Sequence, residues 1–170
     1  KAYGQECYEV PVGFKHISST MEEKNALIGG ESSGGLTIRG HIKGKDGVFA
    51  ASLLIELLSV TGKSLSQLLH EIHGRFGSFH MTEKDCKFSN EEKERLMKKL
   101  FVDKEIPEFE YKISEVSYRD GLKIYFENGG WIIARFSGTE PLLRIFAEME
   151  NEAAAAAVSK VMTDFLNIRL

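Results

Sequence analysis

The segment LKIYFENGGWIIARFSGTEPLLRIFAEME, residues 122–150, decides the fold of the second half of this chain. It contains three apolar runs rich in β-branched and aromatic residues, each of the length of a strand. The first two runs are separated by Asn-Gly-Gly at 128–130, which is typical of a hairpin turn because it tolerates positive φ. The last two are separated by a Ser-Gly-Thr turn at 137–139. The segment therefore predicts three consecutive antiparallel strands.

The residues on either side extend this pattern into an α+β domain. EYKISEVSY, residues 110–118, and the Asp-Gly turn at 120–121 predict a further strand before the first run. SNEEKERLMKKLF, residues 89–101, predicts an amphipathic helix with a capping box of Ser89 and Glu92. Asn151 is the expected N-cap of a last helix. The expected inward-facing side chains of the two helices are Met97, Leu100 and Phe101, and Ala154, Val158, Val161, Met162 and Phe165. The order predicts a helix, a four-stranded antiparallel sheet and a helix.

The first part of the chain has the alternation of strand and helix that is typical of an α/β layer. NALIGG, residues 25–30, reads as a strand, and Asp46 opens a helix that is apolar on nearly every side, which favours a buried helix. SLSQLLHEIHG, residues 64–74, predicts a second helix with a capping box and Gly74 as its stop. The composition becomes charged near residue 77. We therefore predict an α/β segment at 1–77 and the α+β domain at 78–170.

Composition excludes several function classes. The formal net charge of -3 and the sequence pI near 6.0 disfavour nucleic acid as a partner. Cys7 and Cys86 are isolated, which indicates neither a disulfide framework nor a zinc site and favours a reducing, cytoplasmic location. His70 and His73 lack the spacing and third ligand of a zinc helix, so we expect no metal site in this chain. No apolar run has the length of a membrane span, and the start at Lys1 leads us to expect a piece of a longer protein.

The turn after the strand WIIARF concentrates groups that bind anions. Arg135 and Arg144 flank it, and each can present a planar pair of donors to two oxygens. Ser137 and Thr139 add hydroxyl groups, and Gly138 lets the backbone approach a ligand closely. A phosphate monoester matches this set in charge and in acceptors. The alternative is an ordinary hairpin with two solvated arginines.

A second loop, GGESSGGLTIRGH at residues 29–41, follows the strand NALI. It matches neither the P-loop pattern nor GxGxxG. Glu31 and Ser33 offer an acceptor and a donor-acceptor suited to neighbouring sugar hydroxyls. The alternative is a flexible surface loop.

Together the two loops resemble those of the α-D-phosphohexomutases. GGESSGGLTIRGHIKGKDG, residues 29–47, is similar to the family's sugar-binding loop with the downstream H-I-x-x-K-D-G of the phosphoglucomutase branch. RFSGTEPLLRI, residues 135–145, resembles its phosphate-binding loop, and YEVPVGFKHI, residues 8–17, resembles the segment before the sugar loop. Ser32 departs from the second glutamate that is common in the phosphoglucomutase branch.

The resemblance implies the later part of the third domain and the whole fourth domain of a four-domain enzyme. The family moves a phosphoryl group between the 1- and 6-positions of a hexose through a phosphoserine, a bound Mg²⁺ and a hexose 1,6-bisphosphate. This sequence holds no T-A-S-H-N-P-like serine loop and no D-G-D-x-D-R metal loop, so we expect it to be inactive without the remaining domains. Phosphoglucomutase is the favoured activity of the parent and phosphomannomutase the next. The alternative is a non-catalytic phosphosugar-binding module.

The resemblance also assigns residues. It implies sugar binding by Glu31 and Ser33, and proton transfer or charge stabilisation by Lys45, for which the alternative is a solvated lysine before a helix N-cap. Gly13 and Lys15 are expected at the edge of the site. The phosphate-binding set is Arg135, Ser137, Gly138, Thr139 and Arg144.

Overall fold

The computed structural model describes residues 2–138 and 140–168. The chain forms two compact units, Lys1–Glu71 and Ile72–Leu170. The predicted domain boundary at residue 77 stays a prediction. The predicted phosphate-binding residue Thr139 lies outside the described residues.

The first unit begins with a helix, α1 (Phe14–Lys24), which is followed by two short strands, β1 (Ile28–Gly30) and β2 (Leu36–Ile38). The strands pair antiparallel, with Gly30 opposite Leu36, so the glycine-rich loop joins them as a hairpin. Helix α2 (Gly47–Thr61) follows, and α3 (Leu65–Phe76) begins in this unit and ends in the second. Asp46 caps α2 as predicted, because its carboxylate accepts a hydrogen bond from the backbone N–H of Phe49.

The second helix of this unit differs from the prediction in its burial. No residue of α2 is buried, and Val48 and Ile55 are 81% and 64% exposed. The prediction of a buried helix was wrong for this unit because β1 and β2, with three residues each, offer too little sheet surface to cover an all-apolar helix. The capping box of Ser64 and Gln67 at the start of α3 is confirmed by its two reciprocal hydrogen bonds.

The end of α3 also differs from the sequence prediction. The helix runs past Gly74 to Phe76, and Gly77, at φ 86°, follows it instead. Gly77 adopts the left-handed conformation that ends helices, and its N–H donates to the carbonyl of His73. In the described part of the chain no single helix is long and apolar enough to cross a membrane, and α2 and α3 reach that length and composition only as a pair bent by 81°.

The second unit is the predicted α+β domain, built on an antiparallel sheet. Its elements are β3 (His80–Lys87), α4 (Asn90–Met97), a π-helical turn (Lys98–Val102), β4 (Ile113–Ser117), β5 (Leu122–Phe126), β6 (Trp131–Phe136), β7 (Leu142–Met149) and α5 (Glu152–Leu166). The strand order is β3-β7-β6-β5-β4. The sheet thus has five strands where the sequence predicted four.

The additional strand, β3, lies at the edge of the sheet and pairs with β7. Four of the eight residues of its sequence, HMTEKDCK, are charged, and only Cys86 is buried. Edge strands carry such charges because they protect the open edge, and the charges hide the alternation that marks a strand. The charged stretch that suggested a domain boundary is therefore part of the sheet.

Both helices of the second unit cover one face of the sheet. The capping box of Ser89 and Glu92 and the N-cap Asn151 form as predicted. Leu96 on α4 and Leu100 in the π-helical turn are buried, Phe101 is partly buried against the same core, and Met97 is exposed, which corrects the predicted inward-facing set. On α5 the predicted Ala154, Val158 and Met162 are buried, whereas Val161 and Phe165 are partly exposed. The strands contribute Leu122, Ile124, Phe126, Ile132, Ala134, Leu143, Ile145, Ala147 and Met149 to the same core.

The opposite face of the sheet, called the open face below, carries the alternate residues of the same strands. Trp131, Ile133 and Arg135 are partly exposed, whereas Ile132 and Ala134 between them are buried. The predicted placement of Arg135 on one face with Trp131 and Ile133 is confirmed.

Candidate functional site

The glycine-rich loop of the first unit is a tight hairpin held by its own backbone. The N–H of Glu31 donates to the carbonyl of Gly35 at 2.8 Å, and the N–H of Gly34 donates to the carbonyl of Glu31 at 3.0 Å. Gly34 has φ 92°, where L side chains are strained. The two hydrogen bonds hold the backbone of Glu31 in a closed hairpin turn.

Two predicted site residues meet at this loop. Lys45 Nζ lies 2.5 Å from Oε2 of Glu31, whose side chain is only 16% exposed. A Cβ on Gly35 would lie 3.0 Å from Cδ of Lys45 and 3.1 Å from the Glu31 oxygen. Gly35 therefore leaves room for the lysine to reach across the hairpin. Lys45 thus pairs with a carboxylate that is largely withdrawn from water, while the lysine side chain itself is 52% exposed directly before the N-cap of α2, so its proposed role stays a prediction.

The residues around Lys45 explain the rest of its motif. Nε2 of His41 lies 3.0 Å from Oδ2 of Asp46, and the His41 ring stacks on Phe49 at 3.8 Å between centroids. The hydrogen bond from the Phe49 N–H, and then the one from His41, lower the pKa of Asp46. His41 and Asp46 thus stabilise the start of α2, which places Lys45 one residue before the cap.

The other predicted residues of this unit are more exposed. Ser33 lies at the tip of the hairpin, and Lys15 lies in the first turn of α1, both exposed. Gly13 is the N-cap residue of α1 at φ 124°. Lys45 Nζ lies 5.8 Å from the ring centroid of Phe14, so the start of α1 borders the Lys45 side chain. The structure brings Glu31 and Lys45 together, and contacts of Ser33, Gly13 and Lys15 with a ligand stay predictions.

In the second unit, the predicted phosphate turn joins β6 to β7. The N–H of Ser137 donates to the carbonyl of Leu142 at 2.9 Å, which continues the strand pairing into the turn. The hydroxyl of Ser137 accepts from the N–H of Glu140 at 3.3 Å. Gly138 is exposed, and a Cβ there would meet no atom within 4 Å. The turn is thus anchored at both ends and presents its glycine to solvent.

The two arginines that flank this turn are cross-strand neighbours. Arg135 on β6 is directly opposite Arg144 on β7, and their side chains are 20% and 33% exposed. Like charges directly opposite each other destabilise a sheet, because their Cβ atoms are only about 5 Å apart. Groups of opposite charge near both guanidinium groups offset this repulsion.

Three carboxylates contact the arginine pair, and sequence reasoning missed all of them. Asp120 Oδ2 lies 3.6 Å from Nη1 of Arg135, while Asp85 Oδ1 and Glu140 Oε2 lie 3.5 Å from Nε and 3.3 Å from Nη2 of Arg144. Asp120 was assigned only to a hairpin turn, because aspartate is common in such turns. Asp85 lies in the edge strand β3, which the sequence did not predict. The position of Glu140, four residues before Arg144, was the available signal.

One donor of the pair lacks a hydrogen bond. In residues 2–138 and 140–168, Nε of Arg144 is buried without a well-directed acceptor, although Asp85 is close enough for an ion pair. Buried donors of charged groups that have no acceptor are costly.

The described residues do not fit a bound Mg²⁺. Within 2–138 and 140–168 no group of three or more His, Cys, Asp or Glu side chains is arranged to hold a metal ion. Mg²⁺ requires several oxygen ligands in near-octahedral geometry.

Comparisons with known proteins match both units. The sequence model described as "Phosphoglucomutase/phosphomannomutase, alpha/beta/alpha domain III" matches residues 1–76, and "Phosphoglucomutase/phosphomannomutase, C-terminal domain" matches residues 83–164. These matches confirm the predicted fold class of an α/β segment followed by an α+β domain.

The curated relatives extend the match over most of the chain. A phosphoglucomutase/phosphomannomutase of Thermococcus kodakarensis is 31% identical over 91% of this chain and 32% of its own length. A phosphoglucosamine mutase of Carboxydothermus hydrogenoformans is 32% identical over 85% of this chain and 28% of its own. The crystal structure of a phosphoglucomutase/phosphomannomutase family protein from Burkholderia thailandensis superposes with a TM-score of 0.69 at 22% identity, over 93% of this chain and 31% of that one. The chain spans about a third of the length of these relatives.

Proposed function

This chain belongs to the phosphoglucomutase/phosphomannomutase family, and from that premise we propose that it supplies the sugar-binding and phosphate-binding loops of a phosphohexomutase. The proposed reaction of the whole enzyme interconverts a hexose 1-phosphate and a hexose 6-phosphate through a phosphoserine and a hexose 1,6-bisphosphate. The phosphoserine, the Mg²⁺ and the remaining domains are proposed to come from outside these 170 residues. We further propose that the enzyme is cytoplasmic.

The cross-strand pair of Arg135 and Arg144 carries the proposal. A phosphate monoester bears about -1.5 to -2 charges near neutral pH, so one such group offsets the repulsion between two guanidinium groups. Each arginine can donate two parallel hydrogen bonds to phosphate oxygens. The Ser137 hydroxyl and the backbone of Gly138 lie in the same turn. The proposed role of this site is to hold the phosphate that is not being transferred.

Glu31 is the proposed acceptor for sugar hydroxyls. Its backbone is fixed by the hairpin and its carboxylate by Lys45, so little side-chain entropy is left to lose when a sugar binds. A bisphosphate intermediate has to bind in two orientations, and a carboxylate that accepts hydrogen bonds from neighbouring hydroxyls can serve both. Ser33 adds a hydroxyl at the tip of the same loop.

The proposed substrate class is that of the hexose phosphates. The named relatives include phosphoglucomutase/phosphomannomutases and a phosphoglucosamine mutase. Glucose, mannose and glucosamine differ at C2, whereas the proposed contacts involve other hydroxyls and the phosphate. We favour glucose phosphates, with mannose phosphates next.

The proposal is tested by calorimetric titration of the 170-residue chain with glucose 1,6-bisphosphate, inorganic phosphate and glucose. We expect binding of the bisphosphate and weaker binding of phosphate, both reduced by added salt. We also expect no turnover of glucose 1-phosphate, because the chain lacks the serine nucleophile. Equal, negligible heats for bisphosphate and glucose would refute the phosphate site.

A measurement of glucose 1-phosphate turnover addresses the alternative of a non-catalytic phosphosugar-binding module. The enzyme proposal predicts that the chain, when combined with a polypeptide that carries the family's serine and metal loops, supports turnover of glucose 1-phosphate. A module that only binds would show the bisphosphate affinity and no turnover in that combination.

A further inference from the structure

Four charged side chains form one row across the open face of the sheet, called the charged row below. Asp85 on β3 is directly opposite Arg144 on β7, and Arg144 is directly opposite Arg135 on β6. Asp120 contacts Arg135 from the other side. The order of charges across the sheet is therefore negative, positive, positive, negative.

The outer aspartates are attached to rigid parts of the fold. Asp85 is held by strand pairing along the whole of β3. Asp120 belongs to the turn between β4 and β5, and the next residue, Gly121, is packed so closely that a Cβ there would lie 2.6 Å from the carbonyl oxygen of Ala134. The Asp120 backbone is thus fixed against β6 immediately beside Arg135.

Glu140 differs from the two aspartates mainly in its place in the chain, because it belongs to the turn itself, four residues before its partner Arg144. Its side chain is 55% exposed, against 45% for Asp85 and 31% for Asp120, and it accepts a hydrogen bond from Nη2 of Arg144 at 3.3 Å. Ion pairs of this kind contribute little and are readily exchanged. Of the three carboxylates, the most exposed one, Glu140, is thus the one that a phosphate oxygen can replace at the least cost.

We propose that Asp85 and Asp120 are positioning residues that hold the guanidinium groups of Arg144 and Arg135 in place for phosphate, and that Glu140 is the carboxylate that phosphate displaces. This inference rests on the proposed phosphate site. The aspartates act through the arginines and do not touch the ligand.

The proposal has a signature that simple electrostatics does not share. A carboxylate near an anion site repels the anion, so its removal should tighten phosphate binding if charge alone matters. Removal of a positioning carboxylate should weaken binding, because the freed arginine has to be ordered again at each binding event. The sign of the change in affinity therefore separates the two accounts.

The experiment is a ³¹P NMR titration of the 170-residue chain with inorganic phosphate, for the wild type and for Asp85→Ala, Asp120→Ala and Glu140→Gln. We expect affinities about two- to fivefold weaker for the two aspartate variants, the scale of one partly exposed ion pair, and about two- to threefold tighter for Glu140→Gln. Asp85→Asn, which keeps an acceptor oxygen, should fall between Asp85→Ala and the wild type. Asp103→Ala removes a carboxylate that pairs with Lys98 outside the charged row and is the control.

A second readout makes a folding defect distinguishable from lost positioning. In ¹⁵N spectra of the arginine Nε–H groups, Asp85→Ala should increase the mobility of Arg144 alone and Asp120→Ala that of Arg135 alone, while backbone amide spectra stay folded. Aspartate variants that bind phosphate as tightly as the wild type or tighter would overturn the inference and leave the proposed function intact. A wild type without phosphate affinity would overturn both.

Discussion

Gly121 lies where the β4–β5 turn meets β6, and its replacement by alanine should destabilise the second unit strongly. Gly121 has φ 106°, and an added Cβ would lie 2.6 Å from the Ala134 carbonyl oxygen and 3.0 Å from Cβ of Arg135. Strain of a non-glycine residue at such a φ costs on the order of 1–3 kcal/mol. Overpacking against backbone adds about 1–3 kcal/mol. We therefore expect Gly121→Ala to lower the free energy of unfolding by about 3 kcal/mol.

Gly129 provides the matched control for this prediction. It also has positive φ, 90°, but a Cβ there would meet no atom within 4 Å. Gly129→Ala should therefore cost only the backbone strain, about 1 kcal/mol after the gain from a stiffer unfolded chain. The difference of about 2 kcal/mol between the two variants isolates the close approach of the turn to β6.

The assay is urea unfolding followed by the fluorescence of Trp131, the single tryptophan of the chain, which lies on β6 of the same unit. With a slope of about 2 kcal/mol per molar urea, the midpoint of Gly121→Ala should lie about 1 M below that of Gly129→Ala. Equal midpoints for the two variants would refute the packing of Gly121 on β6, and with it the fixed position of Asp120.

Three further predictions concern the two loops. Because the pKa of Asp46 is lowered in the folded state, its stabilisation of α2 is present above the ordinary carboxyl pKa and is lost as pH falls through the lower folded value. Circular dichroism should show that the wild type loses helix between pH 6 and pH 3, whereas Asp46→Ala has the lower helix content already at pH 6. Identical pH profiles for the two proteins would contradict this. In calorimetry, Glu31→Gln should weaken glucose 1,6-bisphosphate binding roughly tenfold and leave inorganic phosphate binding unchanged, because the variant removes the charged acceptor of the sugar hydroxyls and no contact with phosphate. Equal losses of affinity for both ligands would argue against the assigned role. Gly138→Ala should leave the unfolding midpoint unchanged, since a Cβ there meets no atom within 4 Å, and should weaken phosphate binding roughly tenfold by blocking the backbone; an unchanged affinity would place the ligand elsewhere.

Sequence patterns predicted most of the second unit because its signals are local. The turns at 120–121 and 128–130, the capping box at Ser89 and the N-cap at Asn151 each depend on a few adjacent residues, and each forms as predicted. β3 was missed because its strand signal depends on a partner distant in sequence, and its charges protect an edge that the sequence does not reveal.

The sequence located both loops but not the contacts that order them. The pairing of Glu31 with Lys45 depends on the hairpin at 31–35, which brings together residues 14 positions apart. Asp85 and Asp120 reach the arginines only through strand register and a close turn, neither of which a single sequence specifies. α2 shows the converse error, since an apolar sequence indicates a preference for burial and not whether the described chain supplies a partner.

The central claim, that the turn between β6 and β7 binds phosphate through Arg135 and Arg144, is tested most directly by replacing each arginine with lysine. Lysine keeps the charge and loses the planar pair of donors, so Arg135→Lys and Arg144→Lys should each weaken calorimetric binding of glucose 1,6-bisphosphate roughly tenfold while the urea midpoint changes little. Equal affinities for the wild type and both lysine variants would contradict the claim and leave the turn an ordinary hairpin.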